Sequence, residues 1–530
     1  MNKIVFLMSL ILSITFSCTY AAETSITFLD SEILIDDSEI TTTKGAKVFL
    51  QNIIESHPDV AEENKNIENK VVTITQGGTY RISGTAEDTQ IRVTIPKTEE
   101  ISLILDGANI TCKTAPAILI ETAKDDKIAG AANVKLILEN KNIINGSHVA
   151  EYYDEAGTKF KNDAAISSKV SLLIEGDGSL RVNADNEGIE SKMHLTINSG
   201  IIEIFAGDDS LNASEDGVSY ITINGGSIYG IVQGDGSEGD GMDSNGHIVI
   251  NDGFVVAQAH SKSQDSGLDA DLGIIINGGT VIATGNMYEG IDETSKQQFM
   301  QMYFSKSQTS EDLIVITDEN KLPIIAFKPI NNFNILECSS SEFKNGIYYA
   351  FLGGNIVGTE KDGVYTNITS YEQGKQLSHT GAMENNSRPS FGGMDERPDI
   401  FNMENIDLTG ITLPEGITEE QIKDILKQVI EKNFANKGDR NFNPEDNMMQ
   451  NNRKPENFET QNRSYEFVLS EKEHVYRGVE ATNIKTETSN DMIDNIITED
   501  TSNPIYPIIV ISIVAIIAFG AGILTIKNKK

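Results

Sequence analysis

The chain has 530 residues and a net charge of −37, with 79 acidic side chains against 42 basic ones, three Cys and no Trp. That balance excludes a nucleic-acid partner and argues against direct capture of polyanions, which would need cations between them and the protein. Three cysteines cannot build a disulfide framework, so stability has to come from the core and from bound metal.

In chain order, Lys3 precedes an apolar run from Ile4 to Phe16, and Thr19-Tyr20-Ala21 has the small-residue form of a cleavage site. Residues 1–21 therefore read as a secretory signal peptide, with a lipidated Cys18 as the alternative. From residue 22 to 295 the sequence turns to short apolar segments separated by Gly and Asn. Residues 296–380 read as a closing β region, and 381–503 as a low-complexity stalk rich in Asn, Met, Pro, Glu and Arg. Within the stalk, Thr418-Glu-Glu-Gln421 is a capping box for an amphipathic helix over 418–435, carrying Ile422, Ile425, Leu426, Val429 and Ile430 on one face. Residues 505–526 form an uncharged apolar stretch long enough to cross a bilayer. Lys527, Lys529 and Lys530 follow it, so 527–530 read as a cytoplasmic tail. The expectation is a single-pass cell-membrane protein with its ectodomain outside.

One phrase recurs in the middle of the chain: Leu195-Thr-Ile-Asn198, Ile221-Thr-Ile-Asn224, Ile248-Val-Ile-Asn251 and Ile274-Ile-Ile-Asn277, with starts 26, 27 and 26 residues apart. Looser copies stand at Leu103, Leu136 and Leu172. A fixed period of this length is the mark of a solenoid. Within each copy the apolar residues alternate, so Ile221 and Ile223 face one way and Gly225-Gly226 bends the chain. Strands this short bury a face only by stacking in parallel on their neighbours. The fold class predicted is all-β: a right-handed parallel β-helix, then a small C-terminal β region, a flexible stalk and one transmembrane helix. The recurring Asn is expected to form a side-chain ladder at an inward turn, with a simple turn role as the alternative.

A second phrase sets acids around one apolar residue: Asp185-Asn-Glu187-Gly-Ile-Glu190, Asp208-Asp209-Ser-Leu-Asn212, Gly239-Asp240-Gly-Met-Asp243, Asp265-Ser-Gly-Leu-Asp269 and Glu289-Gly-Ile-Asp292. On stacked strands about 4.8 Å apart these carboxylates align in a column. Such a column repels itself unless a cation intervenes, and Ca²⁺, with its six to eight oxygen ligands, suits it. The predicted metal ligands are Asp208, Asp209, Asp240, Asp243, Asp265 and Asp269; a solvated acidic edge is the alternative. Departures at Ser210, Asn212 and Ser266 weaken individual positions, and Gly234-Asp-Gly-Ser-Glu238 adds an insertion that reads as a calcium loop or a longer hairpin.

The stretches Val71-Val-Thr-Ile-Thr-Gln-Gly-Gly-Thr-Tyr80-Arg-Ile-Ser-Gly-Thr85, Leu103-Ile-Leu-Asp-Gly-Ala-Asn-Ile110, Ala115-Pro-Ala-Ile118, Gly188-Ile-Glu-Ser-Lys192, Phe351-Leu-Gly-Gly354 and Gly358-Thr-Glu-Lys-Asp-Gly-Val-Tyr365 resemble the calcium-binding parallel β-helix carbohydrate-binding proteins of clostridial cell surfaces. The resemblance spans roughly residues 25–380. It implies a pectate-lyase-like fold that binds Ca²⁺ and polysaccharides such as cellulose and polygalacturonic acid. A polysaccharide lyase is the rival class, for which Lys192 and Lys262 are the candidate bases by position. A structural or adhesive surface protein is the third. Tyr152, Tyr153 and Phe205 are candidates for stacking on sugar rings.

Overall fold

The computed structural model describes residues 23–384 and 463–481, apart from 31, 56, 58–59, 132, 154–158, 235–237 and 471–472. The expected signal peptide, the 418–435 helix, the membrane span 505–526 and the tail after it lie outside the described residues, as do the middle of the 234–238 insertion and the bulk of the expected stalk. Every regular element among the described residues is a strand.

Each repeat contributes three short strands, and each of the three pairs in parallel with its counterpart in the next repeat. The first ladder takes the recurring phrase, with Leu195 paired to Ile221, Ile221 to Ile248 and Ile248 to Ile274. The second runs through Ser179–Ala184, Ile201–Ala206, Ser227–Val232, Phe254–Gln258 and Thr280–Gly285. The third runs from Glu68–Ile74 through Thr89–Thr94, Ile118–Thr122, Ala164–Ser168, Glu187–Ser191, Leu211–Ala213 and Met242–Ser244 to Asp269–Ala270. Alternation sends Ile197, Ile204, Leu211, Ile223, Ile228, Met242 and Ile250 into one continuous core enclosed by the ladders.

The Asn ladder forms. Asn224 donates to Asn198 Oδ1 at 2.9 Å, Asn251 to Asn224 at 2.8 Å and Asn277 to Asn251 at 2.8 Å. It lies on the exposed side of the turn rather than inside, because Ile197, Ile223, Ile250 and Ile276 already occupy the inward positions next to it. An amide carries both a donor and an acceptor, so an outward column can satisfy itself. Two residues later the backbone takes a positive φ at Gly200, Gly226, Gly253 and Gly279. A Cβ at Gly279 would stand 2.5 Å from the Gly253 carbonyl oxygen, so the close stacking of turns requires glycine there.

The ladders are finished at both ends by antiparallel pairing. Near the N-terminus, Val48–Ile54 pairs with Glu68–Ile74. At the far end Phe333–Ser339 pairs antiparallel with Thr280–Gly285, closing the second ladder, and with Phe299–Gln308. A second core forms where Tyr229, Val256 and Ile282, on the outer face of the second ladder, meet Phe327, Phe333, Phe467 and Tyr476.

The stalk read over 381–503 needs correction at two places. Gly381–Glu384 is a strand, and so are Phe467–Leu469 and Glu473–Ala481, the last paired in parallel with Phe299–Gln308. Both faces of this last strand are covered near its start, so His474, Val475 and Tyr476 are buried consecutively and the alternation that would have marked a strand is missing. Tyr476 is 1% exposed and its hydroxyl donates to the Val468 carbonyl at 2.5 Å. Tyr476→Ala is expected to destabilise the chain by about 3–5 kcal/mol. Thermal or denaturant unfolding measures this, and a loss under about 1 kcal/mol would show that the 463–481 segment is peripheral to the core.

Candidate metal and ligand site

The third ladder carries the acidic phrase. Ser167, Glu190, Asn212, Asp243 and Asp269 are paired in succession and form one column. Three residues upstream in each repeat stand Glu187, Asp209, Asp240 and Ser266, tied from turn to turn: the Asp240 amide donates to Asp209 Oδ1 at 2.7 Å and the Ser266 amide to Asp240 Oδ1 at 2.6 Å. Glycine between the two acidic positions keeps the turns close. A Cβ at Gly241 would lie 2.4 Å from the Gly267 carbonyl oxygen.

Two trios of carboxylates result, each with one oxygen per residue inside a 4.8 Å span. Asp240, Asp243 and Asp269, all predicted as ligands, make one. Asp163, Glu187 and Glu190 make the other. Of the remaining predicted residues, Asp209 is attached to the first trio through the Asp240 amide. Asp265 accepts from the Gly239 amide at 2.6 Å. Asp208 faces Glu238 and Asp265 electrostatically, and neither Asp208 nor Asp265 belongs to a trio. Glu187 and Glu190 stand in the phrase but are not among the predicted ligands. Asp163 does not stand out because its repeat reads Asp163-Ala-Ala-Ile-Ser-Ser168, with Ala164 opposite Glu187 and Ser167 opposite Glu190, so that Asp163 falls one residue before the acidic positions.

The electrostatics bear the mark of crowding. Burial first, and neighbouring carboxylates second, push Glu187, Asp209 and Asp240 well above the usual carboxylate range; the same causes push Asp243 up to about 7. Glu187 and Asn212 are each 6% exposed, and Glu187 Oε2 and Asn212 Oδ1 are buried without a hydrogen-bond partner. Acceptor oxygens of this kind, on Asp, Glu and Asn alone, are the donor set of a hard cation.

The trios differ in what surrounds them. Lys192 pairs with Glu190 and lies 3.8 Å from Asp163, while Lys161 pairs with Asp163 at 2.7 Å. Among the described residues no ion pair reaches Asp240 or Asp243. Lys262, the other lysine singled out from sequence, is exposed. Of the aromatic candidates, Tyr153 is 60% exposed, Tyr152 leans on the core, and Phe205 lies 4.3 Å beneath the Arg181 guanidinium.

Comparison with known proteins places residues 68–320, which contain all of these acids, in the match to a family model described as carbohydrate-binding domain-containing protein. A carbohydrate-binding domain-containing protein of Acetivibrio thermocellus is 34% identical over 164 residues, 31% of this chain and 54% of that protein, so the chain spans about half the length of this relative. Among solved structures, a polysaccharide lyase-like protein from C. thermocellum, determined as a gadolinium derivative, is 26% identical; the match covers 49% of this chain and 94% of that one with a TM-score of 0.31.

The raised carboxyls give a definite pH signature. The folded chain holds the Asp243 proton more tightly than the unfolded chain, so the corresponding stability is fully present below the unfolded value near 3.8 and is lost as pH rises through about 7. Glu187, Asp209 and Asp240 act in the same direction. In chelator, the melting temperature is expected to fall between about pH 4 and pH 8, and a divalent cation is expected to restore it most at the upper end. A melting temperature that rises over this range in chelator would show that the ladder carboxylates do not control stability.

Proposed function

We propose that this chain, which over residues 68–320 matches the model of the carbohydrate-binding domain-containing protein family, is an extracellular calcium-dependent polysaccharide-binding protein held at the membrane by the apolar span 505–526. The three parallel ladders support reading the central region as a right-handed parallel β-helix. The observation that carries the function is the oxygen-only carboxylate column inside the family-matched region. Ca²⁺ is the cation best suited to it, since it tolerates irregular oxygen shells and an outside location would supply it. Asp240, Asp243 and Asp269 would hold the ion, with Asp209 supporting Asp240 through its backbone. The bound ion would offset the ladder's repulsion and hold successive turns together.

Binding without cleavage is the preferred reading. Elimination from a uronate needs a base aimed at the C5 proton beside a metal. Lys192 is engaged by Glu190 and Asp163, and Lys262 stands out in solvent. The full-length chain is expected to retain polysaccharides on a glycan array in Ca²⁺ and to lose affinity in chelator. Asp240→Asn combined with Asp243→Asn should reproduce the loss. Absence of any glycan binding in Ca²⁺ contradicts the reading, and release of ultraviolet-absorbing unsaturated sugars from a polyuronate would make the chain a lyase.

A further inference from the structure

A chain with 79 acids and 42 bases gathers four lysines around a single cavity. This cavity, about 430 Å³, is lined by Glu121, Lys159, Lys161, Asn162, Lys169 and Lys192. Its volume lies within the range of small-ligand sites. The ladder geometry explains the gathering. Ile120, Ser168 and Ser191 are paired in succession in the third ladder, and Glu121, Lys169 and Lys192 are the residues that follow them. Lys169 and Lys192 therefore leave adjacent rungs of a parallel ladder from equivalent positions, about 4.8 Å apart along its axis. Lys159 and Lys161 come from the Lys159–Asn162 strand.

Three of the amines are matched by carboxylates of the chain itself: Lys159 by Glu151 at 2.7 Å, Lys161 by Asp163 at 2.7 Å, and Lys192 by Glu190. Lys169 is different. Its ammonium donates to the Lys161 carbonyl, and among the described residues it has no carboxylate ion pair. It is half-buried, with Lys192 on the adjacent rung and no carboxylate in direct ion-pair contact, so burial of its charge is only partly compensated.

We propose that this pocket is a subsite for one carboxylate-bearing sugar of an acidic polysaccharide, with Lys169 the ammonium that pairs with the sugar carboxylate. A single unmatched cation calls for a single negative charge. Glu121 and the Asp163 and Glu190 carboxylates behind the lysines disfavour a doubly charged phosphate. Asn162 and Glu121 supply acceptors, and Asn162 a donor, for sugar hydroxyls. Burial holds the Lys169 ammonium below its usual range, against the pull of Glu190, Asp163 and Glu187 and with a smaller contribution from Lys192. The subsite places direct recognition of an acidic ligand in a chain whose overall charge argues against it, because charge recognition is decided locally within about a Debye length.

The inference rests on the polysaccharide-binding reading above, and its test separates the two. Binding of polygalacturonate and of its fully methyl-esterified form to the full-length chain compares one backbone with and without the charge. The charged form is expected to bind about tenfold more tightly. Lys169→Met should erase that preference, Lys169→Arg should keep it, and Asp240→Asn with Asp243→Asn should weaken both polymers without changing their ratio. Equal binding of the two forms by the wild type overturns the subsite and leaves the general reading standing, as does an unchanged preference in a Lys169→Met chain of unaltered circular dichroism. A sulfated glucan that outcompetes polygalacturonate overturns the carboxylate assignment. Failure of every polysaccharide to bind overturns both.

Discussion

Parallel stacking of one repeat on the next, about 4.8 Å away, is the constraint from which the other features follow. It forces whatever stands at a given position of the repeat into a column of its own kind. For Ile and Leu the column is a core, and for Asn it is a chain of amide hydrogen bonds. For Asp and Glu it is a problem. Two carboxylates at that separation repel by about 3 kcal/mol even in an effective dielectric near 20. A column of acids is thus tolerated only with protons, built-in cations or imported ones.

The third ladder uses more than one of these. Around Asp163, Glu187 and Glu190 the chain places Lys161 and Lys192, so two of the three acids have covalently attached counter-charges. Around Asp240 and Asp243 the described residues supply none, and burial together with neighbouring carboxylates raises both carboxyls. The lysines that serve the Asp163, Glu187 and Glu190 trio also wall the adjacent cavity, where Lys169 is left over. Counter-charge for the column and recognition of an outside anion would then be two uses of one arrangement.

What could be read in the sequence follows the same division. The period of 26 to 27 residues, the inward Ile positions and the partnership of Asp240, Asp243 and Asp269 were all legible, because each is local text repeated in register. Asp163 was not, since its repeat has Ala164 and Ser167 at the two acidic positions and Asp163 stands one residue before the first. The Asn ladder was legible as a ladder but was assigned to the wrong side, because the neighbouring Ile already fills the interior. Glu473–Ala481 was hidden for a different reason. Its partner, Phe299–Gln308, lies far upstream, and two-sided burial of His474, Val475 and Tyr476 removes the alternation. The lysine cavity is not legible in the sequence because its residues come from four separate segments and only Lys192 has a recognisable context.

The central claim is that the Asp240, Asp243 and Asp269 trio is completed by a cation. Anomalous diffraction from crystals grown with Ca²⁺, or with a lanthanide in its place, tests it most directly. The account predicts a difference peak within coordination distance, about 2.3–2.6 Å for Ca²⁺, of oxygens from all three residues. A saturated crystal with no peak there, and with the three carboxyls hydrogen-bonded to one another instead, would contradict it.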